Sequence, residues 1–290
     1  MMIYRLLALN IDGTVLQTNG KLHKSTKEAI EYVQQKGIYV TLVTSRSFPS
    51  ARKVAKALKI KMPLVTHQGA YIAGSEEKPI YVKRINEGIT YDIVRFFEAL
   101  PCQIRLVHEQ FSLANKFKIQ NDLLSKTIFT TGEPFVYSQQ FVNSLSEYLH
   151  DQPMTPSKIE VYFEKKRDLL DAKAALEKMY SEVEAYELDP LRIDIVPTGA
   201  SKLTGLTYLG NQFGIKLKEM VYIGDGLDDI PVIEAVGLGV SMGNAPSAVK
   251  KASDWVTRSE NDQGVAYMVM EHFRKQQPIE FLRKMKIIKP

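Results

Sequence analysis

Short apolar runs recur along this chain, and several end on a polar or acidic residue. Tyr4 to Leu9 is apolar apart from Arg5, Tyr39-Val40-Thr41-Leu42-Val43 leads into Thr44, Met220-Val221-Tyr222-Ile223 leads into Gly224-Asp225, and Leu238-Gly239-Val240 follows. Runs of this length with no polar face predict strands buried on both sides in a parallel sheet. Between them the apolar spacing changes to a helical one. Ser25 and Glu28 form a capping pattern before Ala29, Ile30 and Val33, with Gly37 as the stop, so Ser25 is the expected N-cap. Ala51, Val54, Ala55 and Leu58 mark the next helix, and Pro63-Leu64-Val65-Thr66 a short strand stopping at His67-Gln68-Gly69. From about 85 to 189 the character differs. Gln103–His108 and Ile159–Phe163 are candidate strands, Pro153 and Pro156 forbid a continuous helix, and Asp168–Tyr180 is an amphipathic helix. The strand–helix rhythm returns with Ile193-Asp194-Ile195-Val196, a helix from Lys202 and another near Ile230 to Ala235. The expectation is an α/β fold, a parallel sheet with helices on both faces built from 1–84 and 190–290, with an α+β unit inserted at 85–189.

At 290 residues, one or two domains are expected, and 44% hydrophobic with 24% charged residues is ordinary for a soluble globular chain. The single cysteine, Cys102, excludes an internal disulfide and any cysteine-based metal site within one chain. The first nine residues are broken by Arg5 and lack a small-residue cleavage site, and no run approaches the roughly 18 apolar residues of a membrane span. A cytoplasmic setting is expected. The net charge of +5 raises a nucleic-acid reading, but much of the excess sits in the tail, at Arg274, Lys275, Arg283, Lys284, Lys286 and Lys289. No interleaved aromatics or nucleic-acid module accompany it, so a solvated or loosely docked extension is preferred.

The chemistry concentrates in Leu9-Asn10-Ile11-Asp12-Gly13-Thr14. A strand's period of two puts positions 10 and 12 on one face, and Gly13 lets the chain turn away. Acidic groups so placed suit a magnesium ion and a phosphate, because Mg²⁺ prefers one or two carboxylates plus phosphate oxygens and water. This segment resembles the first motif of the haloacid dehalogenase (HAD) superfamily, Asp-x-Asp-Gly-Thr. Thr44-Ser45-Arg46 is similar to its second motif, Ser201-Lys202 to its lysine motif, and Gly224-Asp225-Gly226-Leu227-Asp228-Asp229 to its fourth. Gly239–Ala245 and Asp262–Ala266 resemble the closing signature of the Cof-type branch, subfamily IIB. The resemblance implies a Rossmann-like HAD core with an inserted α+β cap, and a Mg²⁺-dependent hydrolase of phosphate monoesters of small metabolites such as a sugar phosphate or nucleotide.

Residue by residue, it implies Asp12 as general acid, Thr44, Ser45 and Lys202 on the phosphate, and Asp225 with Asp229 at the metal alongside Asn10 and Asp12. Asp228 stands where the family usually has an asparagine contacting phosphate, Ser45 where it has glycine, and Gln68 where it has the asparagine of an Asn-Gly-Ala turn. Asn10 occupies the position of the attacking carboxylate, and a carboxamide is a poor nucleophile. An engineered trap, natural loss of activity, deamidation and direct attack by water all remain open for it; the other departures favour natural divergence. A phospho-ligand sensor that has lost turnover is therefore carried beside the phosphatase reading. Arg105, His108 and Lys116 are candidates for the distal end of a substrate. Gly224-x-Gly226-x-x-Asp229 falls short of a dinucleotide fingerprint, and its acidity opposes a pyrophosphate. The five histidines show no ligand spacing.

Overall fold

The computed structural model describes residues 3–74, 78–116 and 138–288. Five parallel strands form its central sheet, in the spatial order Trp255–Val256, Leu238–Ser241, Met220–Gly224, Leu6–Leu9, Tyr39–Leu42. Leu6 to Leu9 register with Met220 to Ile223 on one side and with Tyr39 to Leu42 on the other. Alternation sends Leu7 and Leu9 into one apolar core with Ile30 and Val33 of the helix Lys24–Gln35 and Val265 and Met268 of the helix Gly264–His272. Leu6 and Ala8 enter a second core with Leu206 and Leu209 of the helix Lys202–Gln212 and Val232 and Ile233 of the helix Ile230–Ala235. Helices thus cover both faces, as the unbroken apolar runs require.

A six-stranded sheet packs alongside, in the order Val183–Asp189, Arg192–Pro197, Lys158–Phe163, Cys102–Val107, Phe111–Asn115, Ser138–Val142. One face, with Ile104, Leu106, Ile159, Val161, Ile193 and Ile195, buries against the helices Glu87–Glu98 and Lys166–Met179. The strand around Ile193–Val196 therefore belongs to this antiparallel sheet, not to the parallel rhythm in which the sequence placed it. The reason lies in its alternation: Ile193 and Ile195 face an apolar core while Arg192 and Asp194 face Glu160, the pattern of a sheet buried differently on its two faces. The strand Leu64–Thr66 pairs antiparallel with Tyr71–Ala73 in a separate three-stranded sheet, joined to the chain after Tyr39–Leu42 by a bridge from Val65 to Val43.

Two local expectations shift. His23, not Ser25, caps the first helix, its Nδ1 accepting from the Ser25 N–H at 3.1 Å. The tail is firmly docked: Ile279 and Leu282 are buried in the first core, and Lys36 Nζ donates to the carbonyls of Phe273, Arg274 and Gln276. Its basic side chains stay exposed; Lys289 lies outside the described residues.

Just past the three-stranded sheet, Arg84 donates twice, at 3.0 and 3.1 Å, to the carboxylate of Glu109 in the turn between Cys102–Val107 and Phe111–Asn115, and His108 Nε2 stands 3.0 Å from it. Burial works against this carboxylate's charge, but the hydrogen bonds from His108 and Arg84 outweigh it and hold the group down to about 2, from an ordinary 4.5. A depressed carboxylate contributes stability that is present above its unfolded value and lost as pH falls through the folded one. The native chain is accordingly expected to exceed Glu109→Gln in stability above about pH 4.5, the gap closing between there and about pH 2. Urea titrations of both proteins across that range check it; a gap independent of pH would contradict the pairing.

Candidate functional site

The carboxyl ends of three neighbouring strands, Met220–Gly224, Leu6–Leu9 and Tyr39–Leu42, meet at one place, where an open α/β sheet holds its ligands. Asn10 follows the first strand directly, its N–H bonded to Ile223 O at 2.9 Å, and it is buried. Its Nδ2 donates to Asp12 O and to Asp225 Oδ1, at 3.0 Å each. Thr14 Oγ1 donates to the same Asp225 oxygen at 2.8 Å. Gly13 sits at φ +66°, and a Cβ there would lie 2.0 Å from Asp225 Oδ2, so only glycine lets the turn approach this carboxylate. Burial, then the neighbouring Asp229 carboxylate, push Asp225 up to about 7 against the hydrogen bonds of Thr14 and Asn10.

Lys202 opens its helix behind a Ser201 cap, and its Nζ reaches Asp228 Oδ2 at 2.8 Å and Asp229 Oδ1 at 2.6 Å. Burial alone disfavours the ammonium, but the two carboxylates more than offset it and hold its pKa well above the ordinary value. Asp229 also accepts from the Tyr222 hydroxyl at 2.5 Å and, through Oδ2, from the N–H groups of Asp225 and Gly226. Burial and Asp228 still raise it, whereas Lys202 overcomes burial at Asp228 and lowers that partner. Gln68 Nε2 donates to Asp228 at 2.8 Å, so the residue replacing the family's asparagine faces the aspartate replacing another.

Thr44 is fully buried and its hydroxyl accepts from the Arg46 N–H at 3.1 Å, which shapes the turn after the second strand. Arg46 then forks onto Asp12, Nε to Oδ2 at 2.7 Å and Nη2 to Oδ1 at 2.5 Å. The Ser45 carbonyl accepts from Lys158 Nζ at 2.8 Å, and Lys158 continues to Asp194 and Glu160, where Arg105 and Arg192 also pair. A second brace is His67, whose Nε2 accepts from the Phe48 N–H and whose Nδ1 meets Ser157 Oγ at 2.7 Å. The six-stranded sheet is thus pinned directly onto the Thr44–Arg46 turn.

The structure gathers Asn10, Asp12, Thr44, Ser45, Lys202, Asp225, Asp228 and Asp229 around this end of the sheet, but their carboxylates are not arranged as a metal shell. Asp12 turns to Arg46 and Asp229 is consumed by Lys202, Tyr222 and two backbone N–H groups. Among the described residues no group of three or more His, Cys, Asp or Glu could hold a metal ion. Of the expected set Asn10, Asp12, Asp225 and Asp229, the Asp12 and Asp229 carboxylates are engaged elsewhere, while the Asp225 carboxylate and the Asp12 main-chain oxygen both face the Asn10 amide. That pair fits a magnesium ion completed by phosphate oxygens and water, rather than one held by protein groups alone. Arg46, Thr14, Tyr222 and His67 carry contacts that no local signal assigns to them, although Arg46 and Thr14 lie inside motif segments, and Gln68 stood out only as a departure from the family pattern. Arg105 is spent in the buried network, His108 on Glu109, and Lys116 is exposed. A hollow of about 500 Å³ beside Glu31, Tyr39 and Lys61 lies at the amino end of the second strand, the wrong end for this chemistry.

Residues 7–269 match the family model described as haloacid dehalogenase-like hydrolase. The chain is 47% identical over 281 residues to the stress response protein YhaX of Bacillus subtilis (strain 168), covering 97% of each. It is 24% identical to the 5-amino-6-(5-phospho-D-ribitylamino)uracil phosphatase YcsE of the same organism, over 90% of this chain and 93% of that one. Among solved structures, the phosphatase BT1666 from Bacteroides thetaiotaomicron superposes with a TM-score of 0.79 at 22% identity, over 94% of this chain and 96% of that one.

Proposed function

The chain belongs to the haloacid dehalogenase-like hydrolase family, and on that footing we propose that it handles phosphate monoesters of small metabolites, a sugar phosphate or nucleotide, as a hydrolase whose turnover Asn10 holds down. The observation that carries this is the meeting of Asn10, Asp12 and Asp225 beside Lys202 at the carboxyl ends of the central strands. Lys202 and Arg46 are the cations beside the expected phosphate position, and Arg46 aims the Asp12 carboxylate. Asp12, its side chain 60% exposed, stands open to a leaving alcohol and acts on it as general acid once released from Arg46. Asn10 cannot open a covalent route, because its amide nitrogen is bonded to two oxygens and its oxygen is a poor nucleophile. Magnesium belongs to this reading: bound by Asp225 and the Asp12 carbonyl, it would neutralise phosphate charge. The six-stranded layer, centred on 85–189, serves as the cap that selects the substrate. A cytoplasmic setting goes with the single, buried Cys102.

A second reading, a phospho-ligand sensor without turnover, is favoured by the same Asn10 amide. Both are tested by offering the folded protein a panel of sugar phosphates and nucleotides with magnesium, following binding and phosphate release together. Saturable binding with slow release supports the hydrolase, and binding without product the sensor. Neither binding nor release would defeat both.

A further inference from the structure

Asn10 Nδ2 lies 3.0 Å from both Asp12 O and Asp225 Oδ1, and these oxygens belong to the two groups, the Asp12 carbonyl and the Asp225 carboxylate, that face the expected cation position. The orientation of the amide follows from its neighbours. Turned over, it would set a carbonyl oxygen against two acceptors, exchanging two hydrogen bonds for two repulsions. Thr14 adds a further donor to the same Asp225 oxygen. All three contacts supply positive hydrogen to oxygens that face each other across the turn, and all three are neutral.

We propose that the Asn10 carboxamide is a placeholder for a divalent cation, so that the site admits the cation and a phosphate group together rather than holding the cation beforehand. A cation that takes both Asp12 O and Asp225 Oδ1 displaces the amide from them, which weakens its binding alone. A phosphate alone meets a site rich in carboxyl groups, where Arg46 is already paired with Asp12 and Lys202 with Asp228 and Asp229. A divalent cation with a phosphate dianion adds no net charge, and the phosphate oxygens complete the shell that protein groups leave open. Each partner therefore lowers the barrier to the other, and the coupling is reciprocal. The phosphate half rests on the function proposed above; the placeholder half does not.

The test uses Mn²⁺ as the probe, followed by water-proton relaxation on the full chain, with and without inorganic phosphate. The native chain is expected to bind Mn²⁺ at least tenfold more tightly with saturating phosphate, and Asn10→Asp at least tenfold more tightly than the native chain without it. Asn10→Ala removes the amide without adding charge, and serves if the aspartate variant does not fold; it too is expected to bind Mn²⁺ more tightly than the native chain. Equal or weaker Mn²⁺ binding by a folded Asn10→Ala would overturn the placeholder. Phosphate binding that leaves Mn²⁺ affinity unchanged would overturn the coupling while sparing the function. No phosphate binding at all, with both variants gaining Mn²⁺ affinity, would uphold the placeholder and remove the phosphate reading.

Discussion

Asn10→Asp is expected to raise magnesium-supported release of phosphate from a monoester substrate by at least roughly a thousandfold, some 4 kcal/mol of barrier. The position directly follows the central strand, so the new carboxylate would stand beside the Asp225 turn without any backbone movement. It would also stand about where Nδ2 now lies, 3.0 Å from Asp225 Oδ1, and two such carboxylates repel unless a cation or proton joins them. The gain is therefore expected only with the metal, and the metal-free variant should be less stable than the native chain. Initial rates with and without chelator, on material whose N-terminal peptide has been checked by mass spectrometry for deamidation, decide it. Equal rates from an undeamidated native sample would mean that the reaction does not use position 10.

Lys202→Met is expected to remove about 3–5 kcal/mol of folding stability, the largest loss from any single change at the site. Lys202 is 3% exposed and Asp229 fully buried, so without the ammonium two carboxylates share a dry pocket with nothing but Tyr222, Gln68 and backbone donors. The damage comes from the orphaned charge rather than from the lost side chain, whose volume methionine replaces. Adding Asp229→Asn to Lys202→Met should recover part of the loss, which a simple packing defect would not allow. Urea denaturation of the single and double variants measures both effects, and a loss under about 1 kcal/mol would show the cluster to be solvated rather than buried.

The two-residue edge strand Trp255–Val256 is too short and too exposed to show in the sequence, but the other four of the five parallel strands were legible because burial on both faces leaves an apolar signature that needs no knowledge of neighbours. The same holds for Lys202, whose Ser201 cap is local, and for Gly13, whose turn follows from the residue type. Ile193–Val196 was misplaced because four residues of alternating character do not say which sheet they join; Glu160, 32 residues away from Arg192, made the choice. His23 as a cap was missed since histidine rarely takes that position, and Ser25 offered the commoner pattern.

At the site the division is sharper. The resemblance of four ordered segments to the haloacid dehalogenase motifs was enough to point to phosphate chemistry and to mark Asn10 as the anomaly, because a motif compares one side chain at a time. What that asparagine does instead depended on Asp225, 215 positions further on, brought within 3.0 Å by the parallel register of two neighbouring strands. Arg46 taking Asp12, Gln68 taking Asp228, and His67 clasping Ser157 are likewise consequences of crossovers and packing. Direction, partner and charge balance are properties of a neighbourhood, and only folding assembles it.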